Sequence, residues 1–365
     1  MAAAARSTAL ADVSKRGAFV RTVSPFRKCV SSEPDAKHPP ESQRYHLYVS
    51  HACPWANRAV IVAALKKLSP KHLSISVVHP TWQRTRPDDP EDTHCGWAFA
   101  SESDAPFTSP SGFGSFACKD VVPDTVNNCK FVRDLYDLSL SKLTDEERSA
   151  FPAQVRFTVP ILWDKKLGVI VNNESSEIIR MLNTEFDNLE GVDTSLDLYP
   201  EAKRAAIDEA NEWIYDGINN GVYKCGFATS QEAYEEAYNN LYESLNRLEK
   251  LLTDSPYVAG DTLTEVDVRL FVTLARFDDV YTVYFKATGG AIRTDFPAIL
   301  NYCRRLCQLH PEIAQSINSE HIRVHYYTSH PVLNHYAVVP IGRGIEPFLS
   351  EPFQPVPLLY FIPTR

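Results

Sequence analysis

The sequence holds eight cysteines in 365 residues but no Cys-x-x-Cys pair and no paired zinc-ligand spacing. Both a local two-thiol redox centre and a zinc module are thereby set aside. It has no basic block. Its net charge is −9, and an acidic balance argues against a nucleic-acid surface. No apolar run approaches the roughly 20 residues that cross a bilayer. No internal repeat is visible. The Ala-rich start, Met1 to Leu10, lacks the apolar core of a secretory signal and is expected to be a frayed tail. Cysteines scattered without pairing point to a reducing compartment, the cytoplasm. Cys303 and Cys307 stand four apart in a helical stretch with no neighbouring ligands, which reads as buried packing.

What is present centres on Tyr45-His46-Leu47-Tyr48-Val49-Ser50-His51-Ala52-Cys53-Pro54-Trp55-Ala56-Asn57-Arg58. An apolar strand-like run ends at a cysteine, and a proline then opens a run of helical spacing. Pro54 suits the first helical position, where its missing N–H costs nothing. Cys53 therefore stands at a helix start, where unpaired N–H groups and the helix dipole favour a thiolate. The helix is expected over Pro54 to Leu68, with Trp55, Ala59, Val62, Ala63 and Leu65 facing the core. Leu73 to Val78 reads as a second strand, which completes a βαβ unit and predicts a parallel pair.

Residues 83–128 form a long insertion rich in Pro, Asp, Ser and Gly. Thr158 to Asp164 and Gly168 to Asn172 form a strand pair around Lys165-Lys166-Leu167. Asn173-Glu174-Ser175-Ser176 then opens a helix. Asp187 to Tyr199 is a polar linker. Beyond it the pattern is helical: 200–220, 230–252, 265–287, 296–309 and a short piece near 311–317. Thr264-Glu265-Val266-Asp267 is a capping box before the third of these. The expected organisation is an arm (1–44), an α/β domain (45–186), an all-α domain (200–330) and an extended proline-bearing tail (331–365).

Three places carry chemistry. Ala56, rather than a second cysteine, follows Cys53, so a sulfur adduct on Cys53 needs an external thiol for release. Val159-Pro160 stands where a proline would interrupt a strand, leaving main chain able to pair with a peptide-like ligand. Glu174-Ser175 stands at a helix start able to take a ligand carboxylate, with Glu174 placed for an amine. Glutathione has the peptide backbone, amine, carboxylate and thiol that these three places ask for.

These motifs resemble the glutathione transferase fold, a thioredoxin-like α/β N-terminal domain followed by an all-α C-terminal domain. Longer stretches resemble one branch, the glutathionyl-hydroquinone reductases (xi-class glutathione transferases). They are Ser50 to Ala56, Val159 to Lys166, Asn173 to Arg180, Asn219 to Lys224, Gly226 to Tyr234, Arg276 to Tyr281 and His321 to Tyr327. The resemblance spans about residues 14–342. It implies reductive deglutathionylation of glutathionyl-hydroquinones, with glutathione as co-substrate, glutathionylated aromatic or quinone substrates, no metal and a homodimer. It further implies that Trp82, Arg156, Phe157, Thr158 and Val159 join Glu174 and Ser175 in holding glutathione. Tyr223 matches a proton donor or acceptor, and Tyr281 and Tyr326 match tyrosines that help lower the cysteine pKa. Two features depart from the pattern: Asp279 stands where proline is expected, and the tail after Gly344 has no counterpart. Two alternatives share parts of this reading: a general thioltransferase or dehydroascorbate reductase on the same cysteine, and a non-catalytic scaffold of the same fold.

Overall fold

The computed structural model describes residues 13–356 apart from 15, 22, 150, 153 and 154. The expectations for Met1–Leu10 and for the end of the tail lie outside the described residues. In chain order the elements are β1 (Tyr45–Val49), α1 (Pro54–Leu65), β2 (Ser74–Val77), β3 (Gln83–Arg84), β4 (Cys95–Gly96), α2 (Val132–Leu140), α3 (Asp145–Ser149), β5 (Ile161–Asp164), β6 (Val169–Asn172) and α4 (Ser175–Thr184). They continue with α5 (Arg204–Ile214), α6 (Gly221–Phe227), α7 (Gln231–Asp254), α8 (Glu265–Arg276), α9 (Ile292–Asp295), α10 (Pro297–Leu309), α11 (Pro311–Gln315), α12 (Ser319–Thr328) and α13 (Glu346–Leu349). The chain divides into two compact units. One holds residues 20–196 and 318–342; the other holds 13–19, 197–317 and the segment from 343.

The first unit is built on a four-stranded sheet of order β2-β1-β5-β6. β1 and β2 are parallel, as the βαβ reading requires, while β5 and β6 run antiparallel. β1 is buried along its whole length, which is why its sequence is a near-continuous apolar run. Its one polar residue, His46, is met from β2 by the Ser74 hydroxyl at 2.7 Å and the Ser76 hydroxyl at 2.9 Å. Burial pushes the His46 pKa down to about 4, so the ring is neutral. α1 and α4 pack against each other. Ile61, Val62 and Leu65 of α1 are buried, each contributing about 1.5–3 kcal/mol. The β5–β6 turn is closed by Asp164, whose carboxylate accepts from the N–H groups of Lys166 and Leu167 at 2.9 and 3.2 Å. Gly168 sits there at φ +62°, the left-handed region that glycine enters without cost.

The insertion folds onto this sheet. Val122 pairs with Val77 along the β2 edge, covering an edge that would otherwise be exposed for pairing. The Tyr48 hydroxyl donates to Asp124 at 2.8 Å, and Asp124 in turn accepts from the N–H groups of Val126, Asn127 and Cys129.

The second unit is helical. Asn219, in the segment before α6, donates from its amide to Thr273 Oγ1 at 2.7 Å and to the Arg269 carbonyl at 3.0 Å. α5 runs into a π turn, Tyr215–Asn219, and α8 into another, Phe277–Tyr281.

The structure departs from the sequence expectations in several places. Residues 318–342, of which 318–330 were expected in the helical domain and 331–342 in the tail, group with the α/β unit. The cause is a set of long-range side-chain bonds from α12, described below. Residues 13–19 group with the helical unit, because Thr229 N–H donates to the Gly17 carbonyl at 2.9 Å. β5 begins at Ile161, after the proline rather than before it. The helix expected over 265–287 ends at Arg276, where the π turn begins. Trp55, expected in the core, is half-buried beneath two guanidinium groups. The tail is not wholly extended: it contains α13, whose Phe348 is buried.

Candidate functional site

Cys53 is the residue immediately before α1, in extended conformation, with Pro54 at the first helical position. No acidic residue lies in the first turn of α1. The local field at the sulfur is therefore that of the helix start, with no carboxylate of this helix opposing it. Cys53 is half-buried. Its thiol donates to the Val159 carbonyl at 3.5 Å, and the Val159–Pro160 peptide is cis. Burial pushes Cys129, Cys225 and Cys307 up to about 12 and raises Cys303 well above the ordinary thiol value. No disulfide forms among the described residues. Cys303 and Cys307 are both buried, in keeping with packing.

The residues around Val159 form one hydrogen-bonded group. Tyr136 of α2 donates its hydroxyl to the Thr158 carbonyl at 2.9 Å and accepts from the Thr158 N–H at 3.2 Å. Asn173 donates to the same hydroxyl at 2.9 Å and accepts from the Phe26 N–H at 3.1 Å. Phe157 packs edge-on against Tyr136 and His94, with the Arg133 guanidinium 5.3 Å from its ring centre. The Arg156 carbonyl accepts from the Thr158 N–H at 3.2 Å, a tight turn around Phe157.

Glu174 and Ser175 stand where expected, at the start of α4. Glu174 is its N-cap: its carboxylate accepts from Ser176 N–H at 3.2 Å and Ser176 Oγ at 2.9 Å. Ser24 Oγ donates to its other oxygen at 3.2 Å. Ser175 is the first residue of the helix and is buried. Arg58 of α1 donates to Ser175 Oγ at 3.4 Å and lies 4.4 Å from the Trp55 ring centre. Sequence reasoning quoted Arg58 without giving it a role. A charged residue on the apolar face of α1 was the available signal.

Trp82 is buried beside α12. Its main-chain N–H donates to Ser329 Oγ at 3.1 Å, and Ser329 Oγ donates to the Pro80 carbonyl at 3.2 Å. His325 Nδ1 lies 2.8 Å from that carbonyl, and its ring stacks on Trp97 at 4.5 Å. The Trp82 indole N–H has no partner among the described residues. Tyr326, buried, packs edge-on to His325. This zipper is why α12, and Tyr326 with it, belongs to the α/β unit.

The other two tyrosines belong to the helical unit. Tyr223 of α6 and Tyr281 of the second π turn are buried, with ring centres 6.1 Å apart. Phe285 stacks on Tyr281 at 5.4 Å and meets Tyr223 at 5.5 Å. Gly226 makes this cluster possible, because a Cβ there would run into the Phe285 ring. Among the described residues, no group of three or more His, Cys, Asp or Glu is placed to hold a metal ion. No helix among them is long and apolar enough to cross a membrane.

The family model of the glutathione S-transferase N-terminal domain matches residues 52–185, and that of the C-terminal domain matches residues 231–305. The chain belongs to the glutathione S-transferase family. Among its relatives, glutathionyl-hydroquinone reductase YqjG of Escherichia coli is 43% identical over 343 residues, covering 92% of this chain and 92% of that protein. The crystal structure of the xi glutathione S-transferase of Phanerochaete chrysosporium is 43% identical and superposes with a TM-score of 0.77 over 92% of this chain and 100% of that one. The glutathione-bound structure of YqjG gives a TM-score of 0.75 at 40% identity, covering 90% of this chain and 95% of that one. The transferase fold and the xi-class resemblance drawn from the motifs are both borne out.

Proposed function

We propose that this transferase reduces glutathionyl-hydroquinones to hydroquinones at the expense of glutathione. The observation that carries the reading is Cys53, a single thiol at the start of α1 beside the Val159 main chain, in a chain 43% identical to a glutathionyl-hydroquinone reductase. The Cys53 thiolate attacks the sulfur of the glutathionyl group. The ring carbon–sulfur bond breaks, its electron pair passes to the ring carbon, and Tyr223 supplies the proton that carbon takes up. Cys53 is left as a mixed disulfide with glutathione. A second glutathione, as thiolate, attacks that disulfide, oxidised glutathione leaves, and the Cys53 thiolate returns. In sum, one glutathionyl-hydroquinone and one glutathione give one hydroquinone and one oxidised glutathione.

Within this reading Trp82, Arg156, Phe157, Thr158, Val159, Glu174 and Ser175 hold glutathione. Ser175 Oγ and the α4 start take a carboxylate, and Glu174 takes the amine in exchange for part of its cap. Tyr281 and Tyr326 take the role of tyrosines that help lower the cysteine pKa. The protein works as a homodimer in the cytoplasm, a location supported by eight cysteines without a disulfide among the described residues. The test is glutathione-dependent release of menadiol from glutathionyl-menadiol, compared with cleavage of a simple glutathione mixed disulfide. Faster turnover of the mixed disulfide would favour a general thioltransferase instead.

A further inference from the structure

Two features depart from the family pattern, Asp279 in place of proline and the segment after Gly344. The structure joins them. Gly344 N–H donates to Asp279 Oδ2 at 2.7 Å. Asp279 lies in the π turn Phe277–Tyr281, two residues before Tyr281, and its side chain is only 8% exposed. Its other oxygen faces the Arg293 guanidinium at 3.7 Å. The preceding Asp278 fastens the same turn to α9, accepting from the Ile292 and Arg293 N–H groups at 2.7 and 3.1 Å. The turn is thus tied to α9 through Asp278 and to the C-terminal segment through Asp279. That segment is itself held on α10. Phe348 is buried, Gln308 of α10 donates to the carbonyls of Phe348 and Glu351 at 3.0 and 2.7 Å, and Arg304 pairs with Glu351. A proline at 279 would offer Gly344 no side-chain acceptor.

We propose that Asp279 is a positioning residue, and that the segment from Arg343 to Gln354 is a latch which, through Asp279, holds the turn carrying Tyr281. The proposal rests on the role given to Tyr281 above. π turns inserted in helices are frequently found at functional sites. A backbone N–H to a nearly buried carboxylate is a charge-assisted bond, stronger than a neutral one.

The test uses full-length Asp279→Ala, Asp279→Asn, Gly344→Pro and the Asp279→Ala/Gly344→Pro double variant. Two quantities are read: turnover of glutathionyl-menadiol, and hydrogen exchange of the amides of residues 277–284. Asp279→Ala removes the acceptor and Gly344→Pro removes the donor, the latter also forbidding the φ of +57° that Gly344 adopts; each is expected to lower kcat at least about tenfold, leaving KM for glutathione within about twofold. Asp279→Asn keeps an acceptor for Gly344 and is expected to recover kcat to within about threefold of wild type. The double variant is expected to be no worse than Gly344→Pro alone. Exchange in 277–284 is expected to speed up in every variant that lacks the bond. Wild-type kcat in Asp279→Ala, or losses that multiply in the double variant, would overturn the latch. If the wild-type protein itself releases no menadiol, the functional reading fails, and exchange alone then decides the latch: faster exchange in Asp279→Ala and Gly344→Pro supports it, and unchanged exchange overturns it.

Discussion

The starts of α1 and α8 pose the same physical problem and solve it oppositely. Each leaves first-turn N–H groups pointing out of the helix at the positive end of its dipole. At α8 the protein supplies the acceptor itself, a buried carboxyl whose pKa burial raises. Asp267 reaches back to Thr264, accepting from its N–H at 2.8 Å and its hydroxyl at 2.9 Å. The second Asp267 oxygen accepts from Val258 N–H and Tyr302 hydroxyl, both at 2.9 Å. At α1 there is no first-turn acid, and the residue at the boundary is Cys53. One helix start is sealed for stability; the other presents its field to a sulfur. The start of α4 lies between them, capped by Glu174 yet proposed to receive a ligand.

Exchanging the properties of the two starts gives the sharpest predictions. Cys53→Ser is expected to lower menadiol release at least about 100-fold, because an alcohol at a helix start is not ionised near neutral pH, while the thermal midpoint stays within a few degrees. Asp267→Ala is expected to do the reverse. It leaves four buried donors without their acceptor and should cost about 3–5 kcal/mol in urea unfolding, with the rate per folded molecule retained. Ser175→Ala at the intermediate start is expected to raise KM for glutathione about 5- to 30-fold, the worth of one hydrogen bond to a charged group, with kcat little changed.

A weaker contrast separates the two units. His46, His79, His94 and His330, all in the α/β unit, are held by burial at about 4, below the ordinary value near 6.5. When unfolded, these rings take up protons below about pH 6.5, while the folded unit resists until about 4. The stability they contribute is therefore complete above about 6.5 and is lost as pH falls through that window. By about pH 5 the loss should be of order 1–2 kcal/mol per ring, seen as a falling urea midpoint, with probes in the α/β unit moving first.

The local parts of this architecture were legible in the sequence because their signals are local. The βαβ unit, the cysteine at a strand–helix junction, the β5–β6 pair, the Glu174 helix start and the Thr264–Asp267 capping box each lie within a few residues of their cause. What escaped depends on distant partners. α12 is buried on most of its surface, so it has no clean amphipathic pattern, and its placement rests on His325 and Ser329 meeting Pro80 and Trp82. Asp124 became the hub of the insertion only because Tyr48 points at it. Asp279 looked like a simple departure until the fold brought Gly344 to it.

The central claim is that the sulfur at the start of α1, and no other, takes the glutathionyl group. A single turnover of glutathionyl-menadiol without free glutathione, followed by mass mapping of all eight cysteines, tests it most directly. The account predicts one menadiol released per active site and a glutathione adduct confined to Cys53, with neither product from Cys53→Ser. An adduct on another cysteine, or release by Cys53→Ser at the wild-type rate, would contradict it.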